Sequence, residues 1–260
     1  MNQGRAKFER YAEDRRQTPI DGFNCIRLSH ITRYIPTIEG MEGYVVFTNL
    51  PKGEELNLIR QEIGYFQRQS LNFEWKVYDY DEPNNLKELL EGEGFVCAGG
   101  ESEAFMIFHT ADNEAELKNR HGAVIQRIHS LEGIRDIASV QHVVWEQDFG
   151  WLVEQLSDII ANKPEELSLY CAYVDGVPIG SGWTSFPKGS SFPELHGGAV
   201  IPDWRGKGIY GDLYRIRCKE ISQKGYSWTS VDATEMSRPI LQKLGFEFVC
   251  MTHPMKFQSN

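Results

Sequence analysis

The segment Arg205-Gly206-Lys207-Gly208-Ile209-Tyr210 is where residue type and spacing point most directly to chemistry. It lies between a strand-like run, Glu194 to Ile201, and a run on which Ile209, Leu213, Ile216 and Ile221 line one helical face. The first amides of a helix lack intrahelical acceptors and carry the positive end of its dipole. Gly206 and Gly208 remove side chains that would hold a phosphate away, while Arg205 and Lys207 add charge, so the turn suits a pyrophosphate. On the strand before it, Glu194 and His196 share a face by alternation. Histidine titrates near neutrality, so His196 and Glu194 are the candidate general bases. The plainer reading leaves the basic residues and Glu194 solvated and makes His196 a hydrogen-bonded structural residue.

Two phosphate-binding designs compete for this turn. Gly206-x-Gly208-x-x-Gly211 has the form of a dinucleotide fingerprint, with Asp232 near the place where an acid would meet a ribose. The surroundings argue against a nicotinamide cofactor. That fold needs several parallel strands joined by crossover helices, yet the upstream segment reads as an antiparallel hairpin and little chain follows Asp232. The insert Pro202-Asp203-Trp204-Arg205 also separates the strand from the first glycine.

The elements around the turn can be read in order. A strand is expected over about Ala123 to Ile128, followed by two helices, one through Ile134, Ile137, Ala138, Val144 and Trp145, the other through Leu152, Leu156, Ile159 and Ile160. Asp175-Gly176 between Ser168–Val174 and Val177–Gly180 predicts a type I′ hairpin, since both turn residues need positive φ. Gly180 and Gly182 within the second strand suggest a bulge or a close approach. Lys224-Gly225 ends the helix after the glycine turn, Tyr226 to Asp232 is a strand, and Ser237 is placed as the N-cap of a helix that stops before Gly245. A final strand pair is expected over Phe246 to Lys256.

The first half repeats part of this pattern. Phe73-x-Trp75-x-x-x-Asp79, a helical run and Gly94-Phe95 match Tyr226-x-Trp228-x-x-x-Asp232, a helical run and Gly245-Phe246 at nearly constant offset, which predicts two copies of one supersecondary unit. The polar stretch His109–His121 sets the expected boundary between them.

A formal net charge of −10 makes an acidic surface that repels phosphate backbones, so no nucleic-acid partner is expected. The five cysteines are scattered, with no CxxC pair, which argues against a zinc site or a disulfide framework; no metal is expected. The first ten residues have no apolar signal-peptide core and no long apolar run follows, so a cytoplasmic protein without a membrane partner is expected.

The segment Ala199 to Tyr210 resembles the acyl-CoA signature of the GNAT (GCN5-related) N-acetyltransferases, a hydrophobic strand followed by Arg or Gln, two residues, Gly, one residue, and Gly or Ala. Arg205 and Gly208 fill the first two places; Tyr210 departs from the third. The second family hallmark, a polar-capped helix ending in Gly-Phe, is matched by Ser237 to Phe246. The resemblance implies an α+β, tandem GNAT-like fold with a mixed, mostly antiparallel sheet flanked by helices in two domains. These are a degenerate domain over 1–110 without a CoA-binding turn and an acetyltransferase domain over 120–260. It implies a sheet splayed open between Glu194–Ile201 and Tyr226–Asp232, with pantetheine against Ala199 and Val200. The pyrophosphate would lie on the amides of Gly206, Lys207, Gly208, Ile209 and Tyr210 beside Arg205, and Ser237 within reach of the cofactor arm. The implied reaction moves an acetyl group from acetyl-CoA to a small-molecule or peptide amine. Asp148-Phe149-Gly150-Trp151, with Trp183, resembles the acceptor-site loop; the plainer reading makes both tryptophans core. The family's usual acid, a tyrosine four residues before the Gly of Gly-Phe, is here Leu241. A non-catalytic acyl-CoA-binding or sensor module is therefore the alternative. In the first copy, Pro51-Lys52-Gly53-Glu54-Glu55 stands at the corresponding turn with carboxylates in place of the arginine, and CoA is not expected to bind there.

Overall fold

In the computed structural model, Asp175 and Gly176 take φ of 49° and 78°, the two positive values a type I′ turn demands. They join β8 (Leu167–Val174) to β9 (Val177–Ser185), which pair antiparallel as the sequence predicts. The structure describes residues 3–20, 22–37, 40–98, 102–110 and 120–259. Residues 111–119, most of the polar connector, lie outside them.

The chain forms two compact units, each an α+β arrangement of a mixed sheet and flanking helices. The first comprises Met1–Met106, Asp232–Pro239 and Glu247–Asn260; the second comprises Ile107–Val231 and Ile240–Phe246. In the second unit the strand order is β7 (Val124–Ile128), β8, β9, β10 (Glu194–Val200), β11 (Trp228–Ala233), with every neighbouring pair antiparallel except β10 and β11. α4 (Leu131–Trp145) and α5 (Gly150–Asn162) bury Ile134, Ile137, Leu152 and Leu156 against Leu167, Leu169 and Cys171 of β8. α6 (Ile209–Gln223) sets Ile209 and Leu213 against Tyr170, Ala172, Ile179 and Val200. Alternate side chains of β8 thus feed two separate cores, as the period-2 geometry of a strand requires.

In the first unit the order is β1 (Phe23–Arg27), β2 (Thr32–Pro36), β3 (Gly43–Val46), β4 (Phe73–Tyr78), β12 (Glu247–Phe257), with β5 (Val96–Cys97) also on β12. Only β3 and β4 are parallel. α2 (Glu55–Gln67) and α3 (Leu86–Gly92) bury Ile59, Phe66, Leu86 and Leu90 against Phe73, Trp75 and Val77. Further elements are α1 (Gln3–Gln17), β6 (Glu103–His109) and α7 (Arg238–Lys243).

Two expectations need correction. The last segment is one long strand rather than a strand pair: Thr252 to Phe257 register with Tyr78 to Phe73 of β4. It therefore clusters with the first unit, although it follows the second in sequence. Ser237 precedes α7 but does not cap it. Its amide donates to Thr234 Oγ1 at 3.3 Å and its hydroxyl to Thr234 O at 3.2 Å, so the threonine makes the turn that starts the helix.

The sequence repeat has a structural counterpart. In one copy Gly94 (φ 95°) follows α3 and the Phe95 amide donates to Leu90 O at 3.0 Å. In the other Gly245 (φ 96°) follows α7 and the Phe246 amide donates to Leu241 O at 3.0 Å. Both glycines terminate a helix in the left-handed conformation.

Candidate functional site

β10 and β11 pair at one position only, Glu194 with Ser230, where the Ser230 amide donates to Pro193 O at 3.1 Å. Beyond that point the parallel strands part, and their pairing does not reach Ala199 or Val200. On its other edge β10 stays on β9, but the register shifts between His196 and Ala199, so that Gly197 and Gly198 face Gly182 alone. This is a β-bulge, a device that re-aims backbone groups. Gly197 takes φ 56°, and a β-carbon there would fall inside the Trp183 ring.

Buried polar groups hold the bulge from two elements. Gln141 of α4 donates to Gly197 O and to Ser181 Oγ, both at 2.8 Å, and accepts from the Trp145 indole at 3.1 Å. Arg217 of α6 is 0% exposed; its Nη1 donates to His196 O at 3.0 Å and Trp183 O at 3.2 Å, and its Nε to Leu213 O at 2.9 Å. Gly182 is the close approach its sequence suggested, for a β-carbon there would stand 2.8 Å from the Arg217 guanidinium carbon.

After β10 the chain makes a single 3-10 turn, Pro202–Trp204, and enters the glycine turn before α6. Gly206 and Gly208 take φ of 72° and 84°. No atom lies within 4 Å of a β-carbon built on Gly206, so its surface is open to an approaching group. The Asp212 amide is the donor to Gly208 O, at 3.1 Å, so the amides of Ile209 and Tyr210 precede the first helical bond and face outward by helix geometry. Arg205 Nε donates to Val200 O at 3.1 Å, and Lys207 Nζ stands 4.1 Å over the Trp204 ring. The structure thus gathers Ala199, Val200 and Arg205 to Tyr210 in the second unit, while Ser237 belongs to the first.

His196 and Glu194 come together on β10, with His196 Nε2 3.6 Å from the Glu194 carboxylate and 3.0 Å from Ser185 Oγ. The His196 ring lies nearly parallel to Trp183 at 6.4 Å, and its side chain is 41% exposed. Between α4 and α5, Asp148 accepts the Gly150 amide at 3.0 Å. Trp151 is 58% exposed, so the core reading fails for it, whereas Trp183 packs against the core under α4 and α5.

The corresponding region of the first copy is closed. β3 and β4 pair at three positions, from Gly43–Phe73 to Val45–Trp75. The segments beyond them stay together through Glu82 N–H to Thr48 O at 3.2 Å and Leu50 N–H to Glu82 O at 2.8 Å. The Trp75 indole donates to Thr48 Oγ1 at 2.9 Å, and buried Asp81 accepts the amides of Thr48 and Tyr78. At the turn, the Gly53 amide donates to the Glu55 carboxylate at 2.7 Å.

Sequence reasoning missed Gln141, Arg217, Ser185 and Tyr214. Gln141 and Arg217 had a signal: each is a polar residue on an apolar helical stripe, Gln141 one turn after Ile137 and Arg217 midway between Leu213 and Ile221. Tyr214 lies one turn after Tyr210. Ser185 carried no such mark.

An open parallel pair beside a glycine turn and a bulged strand is the arrangement of the second unit. Residues 131–246 match the model of the Acetyltransferase (GNAT) family. That match lies in the C-terminal part of the chain and spans less than half of it. Among solved structures, a GCN5-related N-acetyltransferase from Kribbella flavida superposes with a TM-score of 0.72 at 12% identity, covering 95% of this chain and 94% of that one. A GCN5-related N-acetyltransferase from Sphaerobacter thermophilus gives 0.60 at 14% identity over 88% and 77% of the two chains. A tandem GNAT protein from the clavulanic acid biosynthesis pathway gives 0.60 at 10% identity over 94% and 86%. At such identities the likeness is one of fold, and the fold here is the tandem GNAT-like one. No curated protein matches the sequence. Among the described residues no cluster of side chains is arranged to hold a metal ion, and no helix is long and apolar enough to cross a membrane.

Proposed function

We propose that this protein transfers an acetyl group from acetyl-CoA to an amine carried by a small molecule or a peptide. The observation that carries the reading is the parting of β10 from β11 after Glu194–Ser230, directly before a glycine turn at a helix N-terminus. An extended pantetheine arm can complete the ladder on β10 at Ala199 and Val200. The outward amides from Gly206 to Tyr210, with Arg205 and Lys207, suit the pyrophosphate. Holding donor and acceptor side by side supplies much of the rate.

An ammonium cannot attack a carbonyl until it loses a proton. His196, whose Nε2 lies 3.6 Å from the Glu194 carboxylate, is the base in this reading. The exposed Trp151 beside Phe149 and Asp148 suits a cationic amine, whose charge a ring face and a carboxylate both attract. In the first copy, the strands are paired, the Gly53 amide is taken by the Glu55 carboxylate, and the two carboxylates of the turn repel a phosphate, so one acetyl-CoA per chain is expected.

The second reading, a binding module that does not turn over, draws on Leu241, which is 0% exposed where the family places a tyrosine. Calorimetric titration with acetyl-CoA tests the binding common to both. Thiol release from acetyl-CoA against tyramine, spermidine, glucosamine and a lysine peptide separates them: turnover supports the enzyme, and tight binding without release supports the module.

A further inference from the structure

Acetyl transfer releases a thiolate, which at neutral pH is basic and nucleophilic enough to return to the carbonyl unless it gains a proton. Leu241 cannot supply one. The hydroxyl that lies at the β10 bulge is that of Tyr214, in the second turn of α6: a β-carbon on Gly198 would stand 3.1 Å from Tyr214 Oη and 3.4 Å from the Tyr210 ring. Because residue 198 is glycine, the ground above the bulge is free of any side chain of its own. We propose that Tyr214 protonates the departing thiolate and that Tyr210 restores its proton. This assignment rests on the acetyl-CoA reading of the site.

Three observations support it. Tyr210 Oη donates to Tyr214 Oη at 3.2 Å, so the proton of Tyr214 points to something other than Tyr210. Tyr210 is only half-buried and can exchange with solvent, whereas Tyr214 is buried and packs edge-on against Phe246 at 5.7 Å. The Arg217 guanidinium carbon lies 4.3 Å from the Tyr214 ring centroid, and its Nη2 is buried without a hydrogen-bond partner. A phenolate formed at Tyr214 acquires a cation that is already in place, without reorganisation. Burial, ahead of the neighbouring Tyr210, raises the Tyr214 pKa well above its ordinary value, so the resting group is the acid.

His196 takes the ammonium proton and passes it to solvent; the free amine nitrogen then forms its bond to the thioester carbon and gives a second proton to His196. The carbon–sulfur bond breaks, its electron pair goes to sulfur, and sulfur takes the Tyr214 proton. Tyr214 is reprotonated by Tyr210 and Tyr210 by solvent, while His196 returns its proton to solvent.

Tyr214→Phe removes only the hydroxyl. Calorimetry should show acetyl-CoA affinity within about twofold of the parent, and kcat with the best amine of the panel should fall about 10²-fold. A selenolate is a far weaker base than a thiolate and leaves without a proton. The acetyl selenoester of CoA should therefore bring Tyr214→Phe back to within a few-fold of the parent, which loss of a merely structural hydroxyl would not do. Tyr210→Phe should show a smaller loss, rescued in the same way. Equal kcat for Tyr214→Phe and the parent with acetyl-CoA, or a defect unchanged with the selenoester, overturns the assignment while leaving the acetyltransferase reading intact. A parent protein that neither binds nor consumes acetyl-CoA overturns both.

Discussion

The side-chain amide of Gln141 donates to the carbonyl of Gly197 at 2.8 Å, linking α4 to the bulge in β10. Gln141 is 3% exposed, and its oxygen accepts the Trp145 indole, so one side chain satisfies groups on three elements. Replacing it by leucine, Gln141→Leu, keeps the volume but removes the shorter of the two hydrogen bonds to Gly197 O, which keeps the Ser181 hydroxyl at 3.3 Å, and removes the acceptor of the half-exposed Trp145 indole. A loss of about 1 kcal/mol is expected in urea denaturation, the net contribution of a typical hydrogen bond. A midpoint equal to that of the parent would show that the bulge does not depend on this bond.

Gly197→Ala should destabilise more than Gly189→Ala, although both glycines take positive φ, 56° and 87°. At Gly189 a β-carbon meets nothing within 4 Å, so the cost is conformational, about 1–2 kcal/mol. At Gly197 the same methyl collides with Trp183, and overpacking adds roughly 1–3 kcal/mol. Thermal melting of the two variants side by side measures the difference.

Gly208→Val tests the phosphate turn. With φ of 84° at this position, valine must either strain the backbone or rotate the first amides of α6. Acetyl-CoA affinity should fall at least about tenfold, equivalent to about 1.4 kcal/mol, in calorimetry. Undiminished affinity would remove the turn from the binding site.

His196→Ala and Glu194→Gln should each lower kcat with little change in acetyl-CoA affinity, because both side chains lie at the paired end of β10, ahead of Ala199 and Val200. His196→Ala should cost the larger factor, about 10²-fold or more if it is the base. Steady-state rates that match the parent for both variants would move the base elsewhere.

Asp81 gives the first unit a distinctive pH response. Burial raises its pKa from the ordinary 3.8 to about 7, with Glu82 adding to the rise and the Tyr78 and Thr48 amides opposing it. Because the folded value lies above the unfolded one, the folded protein holds a proton that the unfolded chain has released. The contribution of this group is greatest below pH 4 and is lost as pH climbs towards about 7. The stability of the parent relative to Asp81→Asn should therefore decline between pH 4 and 7 and level off above, when followed by urea denaturation across that range. A flat difference would show that Asp81 is ionised throughout.

Much of the second unit was legible in the chain itself. The Asp175-Gly176 turn, the α6 stripe, the glycine turn and the paired helix-Gly-Phe endings are signals contained within a few residues, because turn dihedrals, helical periodicity and C-capping are local requirements. The proximity of Glu194 to His196 was likewise fixed by strand alternation. Tertiary structure alone decided the rest. β12 joins β4 because strand pairing is a long-range contact that no local pattern specifies, and Ser237 yields its capping place to Thr234 through a turn the sequence permits but does not demand. The bulge at Gly197 and Gly198 exists because Trp183, Gln141 and Arg217 converge on it from three separate elements. The same holds for the contrast between the copies: nothing in the repeat distinguishes a strand pair that opens after Glu194–Ser230 from one held shut by Trp75, Thr48 and Asp81, since the closing bonds join residues far apart in the chain.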